Sequence, residues 1–254
     1  METECLFCPR SMKACPACGC KICSKHAASA NGCCIKCVRA VQEAALAGRC
    51  TTAEEDAELE GIGGPDAALY GELTPIGFRT LAARLGLRES GVFVDLGSGL
   101  GRLAWQAAAE FGVKLAFGIE LAASRHNLGV DALSAETDRD AASRVTLIQG
   151  DCADAALWTA SSSPFARATV VYLGSLMFST ELMSTLARRI ESCSFADLRV
   201  IATLKQWSAA DAPCGFLLQE LAERCESSWT APQALRDARE PGTPVFVYVA
   251  HGAK

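Results

Sequence analysis

Val92-Phe93-Val94 followed by Asp95-Leu96-Gly97-Ser98-Gly99-Leu100-Gly101 leaves this chain few folds to choose from. The three apolar residues read as a short buried strand, Leu103 to Phe111 as a helix, and the glycines between them as a turn. Such a turn lets a ligand reach the backbone where a Cβ would block it. Glu120 follows Phe117-Gly118-Ile119, so the next strand ends on a carboxylate suited to a pair of ribose hydroxyls. The spacing is Gly-x-Gly-x-Gly, not the Gly-x-Gly-x-x-Gly of a dinucleotide site. With no pyrophosphate to cradle, S-adenosylmethionine (SAM) is favoured over NAD. Gly150-Asp151, after a third strand, adds polar groups at the same sheet edge.

The rest of the body alternates strand and helix. Strands are predicted near 92–95, 115–120, 145–149, 168–173 and 198–204, with helices between them. Stretches near Ser227–Thr230 and Pro244–His251 close the chain as an antiparallel pair. The fold expected is α/β: a seven-stranded, doubly wound, Rossmann-like sheet, with its SAM ligand at the carboxyl ends of the strands.

Half of the 254 residues are apolar, enough for one substantial core and a small appendage. No segment approaches the roughly 18 apolar residues of a membrane span, so no membrane partner is expected. No signal peptide is visible at Met1 to Arg10. The net charge of −5 argues against a nucleic-acid binder acting through the whole molecule. The charge is uneven, because residues 1–50 carry seven Lys/Arg against three Asp/Glu.

Of the 14 cysteines, nine fall within residues 5–37. A reducing compartment, nucleus or cytoplasm, makes metal a better reading than disulfides. Cys-x-x-Cys pairs stand at 5/8, 15/18, 20/23 and 34/37, with Cys23-x-x-His26 as a competing pair. Two-residue spacing points two thiolates at one tetrahedral ion, and two such pairs close a structural zinc site. Eight ligands make two interleaved zinc ions: Cys5, Cys8, Cys23 and His26 on one, Cys15, Cys18, Cys34 and Cys37 on the other. Cys20 and Cys33 are spares, and Cys20 can replace His26. Some forty residues hold too few apolar side chains for a core, so metal must supply the folding energy. The head resembles cross-braced zinc fingers, and it reads either as a structural staple or as a docking module for a protein partner. The organisation is therefore a zinc-binding module at 1–40, a helix and acidic, glycine-containing linker at 41–64, and a catalytic domain at 65–254. Glu54, Glu55, Asp56, Glu58 and Glu60 read as a solvated face of that linker.

Tyr70-Gly71-Glu72-Leu73-Thr74-Pro75 stands about twenty residues ahead of the glycine turn. Together with Asp95 to Gly101, Gly118-Ile119-Glu120, Gly150-Asp151, Val170-Val171-Tyr172, Phe178, Lys205, Ser228-Trp229-Thr230 and Pro244 to Tyr248, it resembles the disruptor-of-telomeric-silencing (Dot-type) histone-lysine methyltransferases. The resemblance implies that Tyr70, Gly71 and Glu72 form a loop over the methionine end of SAM. It places Asp95, Gly97, Gly99 and Gly101 along the amino-acid portion, Glu120 on the ribose, and Gly150, Asp151 and Cys152 around the adenine. Cys152 stands where the family has an aromatic residue. Gly174-Ser175-Leu176-Met177-Phe178 stands where it has two asparagines and an aromatic segment. Ser175, Phe178 and Tyr70 are the catalytic candidates, Ser175 as an acceptor for the attacking amine and Phe178 facing the developing methylammonium.

The function that follows is SAM-dependent methylation of a protein lysine, on a histone core lysine in chromatin. A non-histone protein substrate and a silent SAM-binding adaptor are the alternatives. His126 has no part in this reading, and Trp229 and Phe246 read as packing residues.

Overall fold

The computed structural model describes residues 4–5, 8–14, 21–23, 43, 46–159, 163–193, 197–219, 223–229 and 242–251, without the side chains before residue 43 or at 164 and 223. A small antiparallel sheet joins β1 (Glu4–Cys5), β2 (Cys8–Ala14) and β3 (Lys21–Cys23). Cys5 and Cys8 are register partners of β1 and β2, and Met12 of β2 pairs with Cys23 of β3. Cys15, Cys18, His26, Cys34 and Cys37 lie outside the described residues, as do the side chains of Cys5, Cys8 and Cys23. The zinc ligand sets therefore stay expectations.

Residues 53–63, read as linker, form a helix, α1 (Ala53–Gly63), on which Glu54, Glu58 and Glu60 are exposed as a solvated face. Thr52 and Glu55 form a reciprocal capping box that nucleates it: Glu55 N donates to Thr52 Oγ1 and Thr52 N to Glu55 Oε2. Tertiary contacts then dock it. Glu55 also accepts from Ser124 N and Ser124 Oγ, both at 2.7 Å, and Leu59 is buried. Of the helix read at 38–47, only Glu43, Leu46 and Ala47 are described, and all three are helical.

The body alternates as its apolar periodicity requires: α2 (Pro75–Leu85), β4 (Val92–Leu96), α3 (Arg102–Phe111), β5 (Leu115–Glu120), α4 (Ala123–Ala135), α5 (Arg139–Ser143) and β6 (Val145–Gln149). There follow α6 (Ala155–Thr159), a 3-10 turn at Pro164–Arg167, β7 (Val170–Leu173), α7 (Thr180–Ser192), β8 (Val200–Thr203), β9 (Phe216–Leu218), β10 (Glu223–Cys225) and β11 (Thr243–Ala250). Strands β6, β5, β4, β7 and β8 run parallel in that order, and β11 closes antiparallel on β8. This is a Rossmann-like, doubly wound sheet. Its order reverses between β4 and β7, where such sheets open a crevice for ligand.

The sheet has eight strands, not seven. β11 is longer than any partner, so β10 pairs with its first residues and β9 with its last. Three-residue strands leave no periodicity for a sequence to betray. Residues 227–229 are not a strand of this pair; Ser227 makes an isolated antiparallel bridge to Leu73. Two apolar layers cover the sheet. Phe78, Leu81 and Leu85 pack with Phe93 on one face, and Leu186, Ile190 and Phe165 with Val171 and Ile201 on the other. Burial on both faces explains why β4, β7 and β8 are apolar but for Asp95 and Thr203 near their carboxyl ends.

Candidate active site

At the carboxyl ends of β4, β5 and β7 lies a cavity of about 300 Å³. Three glycines make the turn that floors it. Gly97, Gly99 and Gly101 have φ of 72°, 55° and 72°, the left-handed region that glycine alone enters without strain. Close approach adds a second reason at Gly99, where a Cβ would sit 2.6 Å from the Tyr70 ring. Gly97 and Gly99 line the cavity, whereas Gly101 caps the start of α3 behind it.

Glu120 also lines the cavity, and it is held from behind. Gly99 N donates to Glu120 Oε2 at 2.8 Å, and Ala122 N to Oε1 at 3.0 Å. Such charge-assisted bonds fix the carboxylate and leave each oxygen a lone pair for a ligand hydroxyl. Gly150, Asp151 and Cys152 continue the wall. Ala153 N donates to Asp151 Oδ1, leaving Oδ2 to accept from elsewhere. Burial, with Asp151 and Glu120 nearby, pushes the Cys152 thiol far above its ordinary range, so it stays a protonated, small apolar surface.

Tyr70 and Gly71 form the opposite wall, and Glu72 stands behind them. Tyr70 OH donates to Glu72 Oε2 at 2.8 Å, and Arg102 approaches Glu72 at 3.5 Å. Burial and the Glu72 charge raise the Tyr70 phenol well above its ordinary value, which keeps it a donor. Ser228 clamps this loop: its amide donates to Glu72 O, and its hydroxyl accepts from Glu72 N. Trp229 packs against Gly71, where a Cβ would lie 2.5 Å from the indole. Trp229 lines the cavity, contrary to its reading as packing alone, because the Ser227–Leu73 bridge carries it there.

Asp95 does not line the cavity. It is 1% exposed behind the glycine turn, and its Oδ1 has no hydrogen-bond partner among the described residues. Burial first, then the charges of Glu120 and Glu72, raise its carboxyl well above the usual range. Ser175 departs from its expected place too. It is fully buried, bonded to Thr203 Oγ1 and accepting from Lys205 N, and it does not line the cavity. Phe178 does, three residues on, with its amide donating to Ser175 O and its carbonyl accepting from Lys205 Nζ. His126 is absent from the lining, and Phe246 packs against the core.

Two contributors escape the sequence reading. Arg125, on α4, is buried and reaches three parts of the site. It donates to Gly48 O and Ala68 O, lies 5.1 Å from the centroid of the Tyr70 ring, and approaches Glu120 at 3.9 Å. Leu59, Ile62 and Gly63 of α1 supply an apolar section of wall. The Thr52-x-x-Glu55 spacing was the available signal for that helix; nothing local marks Arg125.

Residues 64–210, more than half of the chain, match the family described as "Histone methylation protein DOT1". The chain is 45% identical over 53 residues to a histone-lysine N-methyltransferase, H3 lysine-79 specific, of Kluyveromyces lactis. It is 46% identical over 54 residues to the like-named protein of Candida glabrata. Each match covers 21% of this chain and, respectively, 9% and 8% of the relative, so the chain spans under a tenth of these curated relatives. Among solved structures, a SAM-dependent methyltransferase from Geobacter sulfurreducens in complex with S-adenosyl-L-homocysteine aligns at 26% identity. That alignment covers 52% of this chain and 48% of the other, with a TM-score of 0.37.

Proposed function

The chain belongs to the DOT1 family of histone methylation proteins, and on that premise we propose that it transfers a methyl group from SAM to a histone lysine. One observation carries the cofactor half of this reading. Asp95 Oδ1 is a buried, unpartnered acceptor directly behind a glycine turn that opens onto the cavity. A buried carboxyl in that state favours a cationic partner such as an amino-acid ammonium. Glu120, with a free lone pair on each oxygen, suits ribose hydroxyls, and Asp151 Oδ2 an adenine amino group. Cys152 supplies apolar contact in place of aromatic stacking. The donor set fits SAM, which when bound supplies an electrophilic methyl group.

The rest is positioning. In-line attack requires a neutral amine, and free lysine has a pKa of about 10.4. Phe178, Trp229, Leu176 and Met177 give the cavity apolar walls, and such surroundings disfavour the ammonium and expose the lone pair. The Phe178 and Tyr70 rings can face a developing methylammonium. Ser175 supports Phe178 from behind through the Thr203 and Lys205 contacts. Holding reactants in this way supplies most of the acceleration expected of an enzyme with no dedicated base.

Three further elements belong to the same reading. The cysteine-rich head binds two zinc ions; the register pairing of Cys5 with Cys8 supports this, and the metal content of the purified protein tests it. The head docks a protein partner, and the protein works in the nucleus. Among the described residues no helix is long and apolar enough to cross a membrane.

The test is incubation with methyl-labelled SAM and separate pools of nucleosomes, free histones and whole-cell protein. Label on a core histone, abolished by Asp95→Ala or Glu120→Ala, is the expected result. Histone H3 is the first band to inspect, given the names of the relatives. Label confined to non-histone protein would refute the histone substrate. SAM binding without any product would leave an adaptor.

A further inference from the structure

At the opposite end of the sheet, Arg88, Lys114, Arg167 and Arg199 face a second cleft, of about 760 Å³. Topology puts them there. Each lies one to four residues ahead of a parallel strand, β4, β5, β7 and β8 respectively, so all four reach the amino ends of neighbouring strands. With strands about 4.8 Å apart, four adjacent strands spread the cations over roughly 14 Å.

These charges are not spent inside the protein. Arg79, Arg102, Arg125 and Arg144 all have carboxylate partners, whereas none of the four cleft cations has an ion-pair partner among the described residues. Among the described residues Asp197 is the one acid lining the cleft, so a chain of net charge −5 carries a local excess of positive charge here. Burial, followed by the charge of Arg88, holds the Arg199 guanidinium below its ordinary range, and Asp197 only partly offsets this. Concentrating like charge in a recess is unfavourable unless an anion relieves it.

We propose that this cleft binds the phosphate backbone of duplex nucleic acid. Guanidinium forks match phosphate oxygens in pairs, and three of the four cations are arginines. Among the described residues the lining holds no Phe, Tyr or Trp, and its one ring is the small imidazole of His251, which offers no run of stacking platforms for a single strand. A row of cations also suits a continuous backbone better than one compact anion. The cleft faces away from the cavity at the strands' carboxyl ends, so a duplex seated there leaves the candidate active site open. The whole-molecule charge argued against such a partner; the fold overrides it by gathering scattered basic residues on one edge.

The experiment is fluorescence anisotropy of a short labelled duplex DNA with the full chain over a range of salt concentrations, without SAM. Four phosphate contacts predict a slope of log K against log salt of about −3.6. Arg88→Gln with Arg199→Gln should bring the slope near −1.8 and weaken binding at least tenfold, with an unchanged melting profile and unchanged SAM binding. Asp197→Asn should tighten it. Duplex binding indifferent to these changes would place the contact elsewhere, the cysteine-rich head included, and overturn the proposal. So would binding of inorganic triphosphate or an acidic peptide without duplex binding.

Discussion

The hydroxyls of Ser175 and Thr203 lie 2.5 Å apart, and neither residue is exposed. Ser175 Oγ also accepts from Lys205 N at 3.2 Å, and Thr203 Oγ1 donates to Lys205 O at 2.9 Å. This network ties the turn after β7 to the end of β8 and so fixes Phe178 on the cavity wall. Ser175→Ala removes one bond each from the Lys205 amide and the Thr203 hydroxyl, which keep each other as partners, an expected loss of about 0.5–1.5 kcal/mol. Denaturant unfolding measures it. Coupling with Thr203→Val should be non-additive, because the two share one bond. Methyl transfer should fall mainly in kcat, with SAM affinity close to wild type. A Ser175→Ala protein of unchanged stability but without activity would instead put that hydroxyl on the amine.

Asp95 should couple stability and cofactor binding to pH. Its folded carboxyl is raised by burial and by Glu120 and Glu72, whereas in the unfolded chain it ionises near pH 3.9. Over the interval above that value the folded protein holds a proton that the unfolded chain has released. Its contribution to stability therefore declines as pH rises towards the folded value. Asp95→Asn removes that slope. Urea midpoints of both proteins without SAM, between pH 4 and neutrality (roughly the range in which free carboxyls have already ionised), should converge towards acid and separate towards neutrality in favour of Asn. The same substitution should weaken SAM binding at least tenfold, seen by calorimetry.

Glu55 joins α1 to α4 through both the amide and the hydroxyl of Ser124, which hold its carboxyl below the ordinary range. Glu55→Gln cannot accept at both oxygens. We expect several-fold weaker SAM binding, because Leu59 and Ile62 then no longer hold the wall closed. Protonation should do the same in wild type: the docking is present above the unfolded carboxylate pKa and lost as pH falls through the lowered folded value. Protection of α1 amides in hydrogen exchange reports the undocking. Full protection in Glu55→Gln would refute it.

Gly99→Ala meets two penalties at once, a left-handed φ and a Cβ driven into the Tyr70 ring. The cost is about 1–3 kcal/mol for the strained backbone. The displaced ring should also reduce SAM binding by an order of magnitude or more. Gly86→Ala shares the positive φ but opens onto empty space. It therefore controls for strain alone and should leave binding intact.

Local chemistry determined much of this protein. The run Val92 to Gly101 specified a strand, a turn and a helix because three glycines in five residues have few other uses. Glu120 and Gly150-Asp151 were placed at one sheet edge by the regular alternation of strand and helix, since parallel strands all end on the same side. The Tyr70-Gly71-Glu72 block marked the family, and Gly71 and Tyr70 do face the cavity. Tertiary structure decided what depends on residues distant in sequence. Arg125 earns its role only where Gly48, Ala68, Tyr70 and Glu120 converge on it. Trp229 reaches the wall only because Ser227 bridges Leu73, and Ser175 turns from the cavity only because Thr203 and Lys205 offer it partners. The basic cleft is the plainest case. Arg88, Lys114, Arg167 and Arg199 are unremarkable along the chain, and a parallel sheet makes them neighbours. Periodicity and spacing encode what a segment does to itself; a long-range hydrogen bond or a charge cluster exists only once chain closure has brought its members together.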